Sequence, residues 1–589
     1  MDLNLEQRQA VEHDGNAVVT ACPGSGKTRV LTARVMRAVN QLESSKERAA
    51  ALTFTNRAAD EIRSRLDQDG LPTDLLWAGT IHAFALEWIL RPYAPYVEQI
   101  RCGFSVADEY FCERLLREIH GKQELERFAT INTVYRRDGI VENSDEETEA
   151  AFDLYRRELR ESKVIDYNEV LYLAYKLLED NPEIAANLGS IFRVFCVDEV
   201  QDIQDLQFGI LSQIYSQSPE PPEMLFVGDA DQSIYESLGA LTKSPEEIAE
   251  EFGMTNLQHF DLVGNYRSTQ RVIDYCRLFR PAVAQVESRI AQPEEHGRIT
   301  FEKQTVSRDD LSDHIAELVR ATLRAGIDED EICIIAPRWD HVRSIARQLV
   351  ERLPDARFDA PGLSPLYSVR DNIWYRVAKL CLTNPTPSSS RSRSRCANEV
   401  LVELEFLLGS SVPDSIASAR RLLRVINQLE SDETEGIRYL RDLFTQLLER
   451  VGLNLDALVA LKDSFELFFE KAEARLESSE GGMPSSVDSF RMIFSSPSGI
   501  VVNTCHGVKG EEFDTVIAFG LLKGFVPHWD VIINGSEAEA AQRESKLLYV
   551  VASRAKRQLH LVSENGRRTQ TGNPYRTATL LDRINFDYD

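Results

Sequence analysis

The chain has 589 residues, 43% hydrophobic and 27% charged, ordinary proportions for a globular protein, and at ~150 residues per domain that length holds roughly four domains. With 94 acidic against 67 basic side chains the formal net charge is −27, which excludes a protein that coats nucleic acid by bulk electrostatics; nucleic acid is expected only in a local groove. The nine cysteines show no CxxC, CxxxC or paired Cys/His spacing, so they read as reduced, metal-free thiols with no iron–sulfur cluster.

In chain order, residues 1–6 lack the basic and apolar regions of a secretory signal, and no stretch approaches ~18 uninterrupted apolar residues, so a cytoplasmic chain without membrane contact is expected. Leu3 to Val11 carries a short amphipathic helical pattern containing Gln7. The apolar run Ala17-Val18-Val19 leads into Ala21-Cys22-Pro23-Gly24-Ser25-Gly26-Lys27-Thr28, and a helical pattern follows from Arg29 to about Asn40. A strand, a glycine-rich turn and a helix opening on Lys-Thr form a phosphate cradle: glycines let backbone N–H groups approach the phosphates, and the helix terminus supplies positive potential. Lys27 then serves as a point charge on the transferred phosphate and Thr28 as a Mg²⁺ ligand. The first position of the general pattern holds Ala21 in place of glycine.

Ala51-Leu52-Thr53-Phe54-Thr55-Asn56-Arg57-Ala58-Ala59 and Trp77-Ala78-Gly79-Thr80-Ile81-His82-Ala83-Phe84 each pass from a β-rich run into a helix. Such alternation predicts a parallel sheet whose site lies at the strand carboxyl ends. Helical periodicity fills Leu86 to Leu178, read as an inserted domain, before a strand pattern at Ile191 to Val197 ends in Asp198-Glu199-Val200-Gln201-Asp202. Adjacent carboxylates at a strand end fit Mg²⁺ binding by Asp198 and polarisation of an attacking water by Glu199. Met224 to Val227 ends in Gly228-Asp229-Ala230-Asp231-Gln232-Ser233-Ile234-Tyr235, and Gly264-Asn265-Tyr266-Arg267-Ser268 opens a helix.

From Gly297 the alternation resumes, with strand patterns at Ile299-Thr300-Phe301 and Glu331 to Ala336. Asn384 to Arg395, rich in Pro, Ser and Arg, reads as a solvated linker. Helical periodicity covers Glu399 to about Leu476, and strands return at Gly499 to Thr504, Val516 to Phe519 and Leu559 to Val562.

Taken together, these residues resemble the UvrD/Rep-like group of superfamily 1 DNA helicases from Leu3 to about Lys556. The signatures fall in the family's order: Leu3-Asn4 with Gln7, Gly24 to Thr28, Thr53 to Ala59, Gly79 to His82, Val197 to Asp202, Gly228 to Tyr235, Asn265 to Ser268, Thr504 to Asp514 and Leu547 to Ala555. The resemblance implies two RecA-like P-loop domains with parallel sheets, each carrying a mainly helical insertion: 1–88 with 179–290, 89–178 inserted, 291–381 with 497–589, and 382–496 inserted. It implies ATP and Mg²⁺ between the two sheets, with Gln7 on adenine, Arg29 and Tyr266 flanking the base and Glu512 on the ribose. Lys27, Gln232, Arg267 and Arg554 would meet the γ-phosphate, the last two as arginine fingers, with Thr28 and Asp198 on the metal. For DNA it points to Phe54, Thr55, Asn56, Thr80, His82 and Tyr235.

The family usually places a tryptophan two positions after Tyr235, whereas this chain has Ser237 behind Glu236. The second insertion is also short, and no nuclease signature follows the last motor motif. The expectation is an ATP-dependent translocase moving 3′ to 5′ on single-stranded or tailed duplex DNA, in repair, recombination or anti-phage defence, with a nuclease or other protein as partner. The alternative is a nucleotide-gated, DNA-binding regulatory subunit with little unwinding of its own.

Overall fold

The computed structural model describes residues 3–53, 56–68, 73–126, 129–143, 145–234, 241–280, 286–290, 296–366, 372–387, 389–408, 411–477, 485–495, 498–569 and 571–589. After helix α1 (Leu5–Glu12), the first sheet is built from β1 (Ala17–Ala21), β2 (Arg48–Leu52), β3 (Leu76–Gly79), β4 (Phe192–Val197), β5 (Glu223–Gly228) and β6 (Gln258–Leu262), with α2 (Lys27–Gln41) behind β1. All strands pair in parallel in the order β3-β2-β4-β5-β1-β6. β1 reads as Ala-Val-Val-Thr-Ala because it is covered on both faces, the condition that replaces alternation with a continuous apolar run. Ala17 pairs with Leu225 and Thr20 with Gly228, so the chain leaves β1, β4 and β5 at one edge, and the phosphate-type turn, Asp198 and Asp229 emerge side by side.

The second sheet comprises β7 (Arg298–Ser307), β8 (Ile332–Ala336), β9 (Phe358–Asp359), β10 (Ile500–Thr504), β11 (Phe513–Ala518) and β12 (Ala555–Asn565), again all parallel, in the order β7-β12-β11-β8-β10-β9. Three further helices matter for the site: α3 (Gln270–Arg277), α4 (Trp339–Arg352) and α5 (Glu537–Ala552). Both sheets lie in one compact unit of residues 1–89, 174–362 and 498–589, and the second unit is 90–173 with 363–497.

Three expectations change. Helix α3, assigned by sequence to the first sheet's domain through residue 290, buries Val272, Tyr275 and Cys276 in one core with Leu548, Val516 and Leu559 of the second. The helix Ile373–Leu382, assigned to the second sheet, buries Trp374 in the helical unit against Phe444 and Phe465, ring centroids 5.2 and 5.0 Å away. The expected linker instead opens the helix Ser390–Leu408. There Arg393 is buried, donating to the Leu380 carbonyl at 2.8 Å, the Thr383 hydroxyl at 2.6 Å and the Asn427 side chain at 2.7 Å. Composition favoured a loop, but one guanidinium that satisfies the end of the preceding helix outweighs a few tenths of a kcal/mol in serine propensity. Among the described residues no helix is long and apolar enough to cross a membrane.

Glu544 on α5 is buried and accepts the Leu580 N–H at 2.6 Å. Burial pushes its carboxyl from 4.5 up to about 7 against the pull of the Leu580 and Leu581 N–H groups, Lys523 and Arg583. A carboxyl raised in the folded state stabilises fully below its unfolded value and loses that contribution as pH climbs through the folded one, at about 1.4 kcal/mol per unit. Glu544→Gln keeps the acceptor without the charge. Thermal melts are expected to coincide with wild type near pH 4.5 and to show the variant several degrees more stable at pH 8; parallel pH profiles would remove the assignment.

Candidate functional site

The turn after β1 is shaped by two glycines in the left-handed region, Gly24 at φ +74° and Gly26 at φ +89°, where a side chain is strained. A Cβ on Gly24 would lie 2.5 Å from the Arg267 Cβ and 2.7 Å from the Asn265 Oδ1, and one on Gly26 would lie 2.6 Å from the Gln7 Nε2. Space around the cradle is therefore already taken by the residues expected to serve it. Asn265 donates to the Pro23 carbonyl at 2.9 Å and Tyr266 N–H to the Gly24 carbonyl at 2.8 Å. Ser25 is buried, and its carbonyl accepts Gln7 Nε2 at 2.8 Å. The Gln7 Oε1 accepts the Asn4 N–H at 3.1 Å in a capping box, which leaves one amide donor and one lone pair for another ligand. Tyr266 is 41% exposed, its hydroxyl 2.6 Å from Asn4 Nδ2. Lys27, Thr28 and Arg29 form the first turn of α2, with Arg29 exposed.

The acidic turn after β4 lies beside this loop. Lys27 Nζ is 3.6 Å from Glu199 Oε2. Glu199 itself stands at φ +50°, ψ +48°, a left-handed conformation that costs a non-glycine residue of order 1 kcal/mol and clusters at functional sites. The Asp198 carboxylate accepts the Glu199 N–H at 3.0 Å. Burial and then the Glu199 charge push Asp198 up to about 7. Burial acts on Glu199 the same way, yet Lys27 and Lys509, with Gln201 and Arg554, outweigh it and hold that carboxyl down at about 2. Charge is thus concentrated on one member of the pair.

The second sheet supplies two of the cations, Lys509 and Arg554. Arg554, 1% exposed, precedes β12 and donates at 2.6 Å to Oε1 of Gln232, which in turn donates at 2.7 Å to Asp229. Arg267 donates at 2.6 Å to Glu512, ahead of β11, and at 3.1 Å to the Ser553 carbonyl. Lys509 pairs with Asp202 and reaches the Gln232 carbonyl at 2.6 Å. Lys27, Asp198, Glu199, Gln232, Arg267, Glu512 and Arg554 therefore sit in one neighbourhood spanning both sheets. Sequence reasoning gave no role to Lys509, Asp202 or Arg280; the first two stood inside recognised motifs, whereas Arg280 follows α3 with no local signal.

Against known proteins, a family model described as the UvrD/REP helicase N-terminal domain matches residues 3–253, and one described as the UvrD-like helicase C-terminal domain matches 482–566, together more than half of the chain. This chain belongs to the UvrD/Rep-like helicases. It is an ATP-hydrolysing DNA helicase of superfamily 1. Among its relatives are the ATP-dependent DNA helicases UvrD1 of Mycobacterium tuberculosis (26% identical; 95% of this chain, 82% of the relative), PcrA of Leuconostoc citreum (24%; 98% and 84%) and Rep of Escherichia coli K12 (25%; 95% and 90%).

Of the DNA residues expected in this helicase, Phe54, Thr55 and Tyr235 lie outside the described residues, as does the side chain of Asn56, which opens the helix Asn56–Gln68. Thr80 caps the helix Ile81–Phe84 through the Ala83 N–H at 3.2 Å, and His82 Nδ1 is 3.5 Å from Gln207 Nε2. Both follow β3 at the carboxyl edge of the first sheet.

Gly24→Ala is expected to weaken binding of a fluorescent ATP analogue at least tenfold and to lower the melting temperature by only a few degrees, because the added methyl strains a left-handed residue and displaces Arg267 and Asn265 while the sheets stay packed. Wild-type affinity in that variant would contradict the crowding described here.

Proposed function

We propose that this helicase binds ATP with Mg²⁺ in the seam between its two sheets and uses each turnover to move 3′ to 5′ along single-stranded or tailed duplex DNA. The observation that carries the reading is the continuous path from Lys27 through Glu199, Gln201, Asp229 and Gln232 to Arg554, which joins residues of both sheets. The residues fit the nucleotide: a turn whose Gly24 and Gly26 carry no Cβ, a helix terminus at its end, and carboxylates beside it. Thr28 and Asp198 would hold the metal, which supplies charge neutralisation on the phosphate oxygens. Gln7 offers adenine its remaining donor and lone pair, Arg29 and Tyr266 flank the base, and Glu512 serves the ribose. Glu199, held ionised, polarises the attacking water. Burial and the neighbouring Arg267 lower Arg554 to about 10, which still leaves it cationic at neutral pH and able to stabilise the transferring phosphoryl group, an effect of ~10³ or more in rate.

For DNA, the acidic chain leaves local features to make the grip. Thr80 and His82 stand at one sheet's carboxyl edge, and with Phe54, Thr55, Asn56 and Tyr235 they form the expected track. At the carboxyl end of β8, Trp339 is 41% exposed beside Arg338, whose guanidinium lies 5.5 Å over the Phe525 ring. An exposed indole next to a cation suits base stacking at ~1–3 kcal/mol per base, and offsets Ser237 where the family usually has tryptophan. A short second insertion supports work within a larger, nuclease-linked assembly in repair, recombination or defence, in the cytoplasm.

Lys27→Ala and Arg554→Ala are each expected to cut DNA-stimulated ATP turnover at least ~10³-fold while the melting curve stays put; near-normal turnover in either removes the site. Wild-type protein is expected to unwind a 3′-tailed duplex and leave a 5′-tailed one intact. Nucleotide-dependent DNA binding without strand separation would favour the gated regulatory subunit. Trp339→Ala is expected to weaken single-strand affinity about 5- to 150-fold, with basal ATP turnover unchanged; unaltered affinity would take Trp339 off the track.

A further inference from the structure

Arg280 lies three residues beyond α3, next to a segment anchored in the second sheet's core through Val272, Tyr275 and Phe279. Its guanidinium, 10% exposed, reaches back to the first sheet, where it pairs with Asp229 at 3.4 Å and with Asp231. The same group donates to the Tyr549 hydroxyl at 2.9 Å and lies 5.3 Å from the centre of that ring. Asp229 has no exposed surface and holds the Gln232 amide at 2.7 Å; Gln232 accepts Arg554 at 2.6 Å. Tyr549, in the last turns of α5, stands five residues ahead of Arg554, with the Ser553 N–H bonded to its carbonyl at 2.9 Å. The contacts close on themselves: Arg280 to Asp229, to Gln232, to Arg554, along α5 to Tyr549, and back to Arg280.

We propose that Arg280 is a positioning residue that sets where Gln232 and Arg554 meet across the seam, and through them governs the hydrolysis step more than nucleotide binding. This rests on the reading of Arg554 and Gln232 as γ-phosphate residues. Two features single out arginine. A planar guanidinium spans two carboxylates and a phenol, hydrogen-bonded to the Tyr549 hydroxyl and ion-paired to Asp229 and Asp231, a flat reach that a compact lysine ammonium cannot cover. The buried Asp229 also needs a nearby cation, and its field reaches Arg554; with Arg280 satisfying Asp229, Arg554 stays on Gln232 and faces the triphosphate.

The test compares Arg280→Lys, which keeps the charge and loses the fork, with the charge-balanced double variant Arg280→Gln/Asp229→Asn, each in full-length protein and again in an Arg554→Ala background. In the otherwise wild-type protein both are expected to melt within a few degrees of wild type and to keep KM for ATP within about threefold, while kcat falls about tenfold or more. In the Arg554→Ala background Arg280→Lys is expected to add no further loss in single-turnover hydrolysis, because the two act through one contact. Near-normal kcat in Arg280→Lys overturns the proposal, as does a multiplicative loss in the Arg554→Ala background or full recovery in the charge-balanced variant. Normal turnover in Arg554→Ala alone would instead overturn the reading of the site beneath it.

Discussion

The buried guanidinium of Arg554 is the interaction on which the rest of the site depends. Its hydrogen bonds go to the Val550 and Glu511 carbonyls at 3.1 and 3.0 Å, to the Ser553 hydroxyl at 3.0 Å and to the Gln232 amide oxygen. These partners satisfy four of its five donors without cancelling its charge. Burying a cation in this way costs several kcal/mol unless an anion completes the site, and a dipole-lined cation held in place before reaction is the arrangement that stabilises developing negative charge most strongly. Arg267 is set differently, since its bond to the half-exposed Glu512 balances it outright. One guanidinium is held in place by dipoles, and the other is paired with a carboxylate that can turn to solvent.

The acids on the first sheet need those cations. Asp198, Glu199, Asp202 and Asp229 crowd the carboxyl ends of β4 and β5, and burial raises Asp198 and Asp202 even with lysines nearby. Lys27 comes from the same sheet, but Lys509 and Arg554 come from the other. The seam is therefore held by opposite charges contributed by separate layers, with the neutral Gln232 amide wired between them, donating to Asp229 and accepting from Arg554. A neutral amide that donates on one side and accepts on the other can keep its place while charges around it change, which suits a residue with the γ-phosphate role proposed for Gln232.

Much of this was legible in the sequence, for local reasons. The order of motifs gives the cradle, the two carboxylates and the second sheet's arginine, because strand–turn–helix grammar and continuous apolar runs are written within a few residues. What escaped depends on long-range company. Strands β6 and β9 lie at sheet edges with mixed polarity, so neither alternates nor runs apolar. Helix α3 looks amphipathic from its own residues and carries no mark of which sheet will cover it. The Ser/Arg stretch reads as linker until Thr383 and Asn427 arrive to occupy Arg393. Phe54, Thr55 and Tyr235 lie outside the described residues, which leaves Thr80, His82 and the exposed Trp339 as the described candidates for the DNA face.

The second sheet presents different edges to its two expected ligands, and that separation has a mechanical consequence. Glu512 and Arg554 precede β11 and β12 at the amino edge, whereas Arg338 and Trp339 follow β8 at the carboxyl edge. A five-residue strand at about 3.3 Å per residue puts roughly 17 Å between these edges. On the proposed reading, tightening around the triphosphate tilts the sheet from its amino side, and a tilt of about 10° carries the far edge roughly 3 Å, close to the 3.4 Å rise of one nucleotide along a strand. Small changes at the phosphates then become steps of one base because the parallel strands act as stiff spacers. The same geometry explains why a positioning contact such as Arg280 belongs at the seam: an error of a fraction of an ångström there is carried outward by the full length of the sheet.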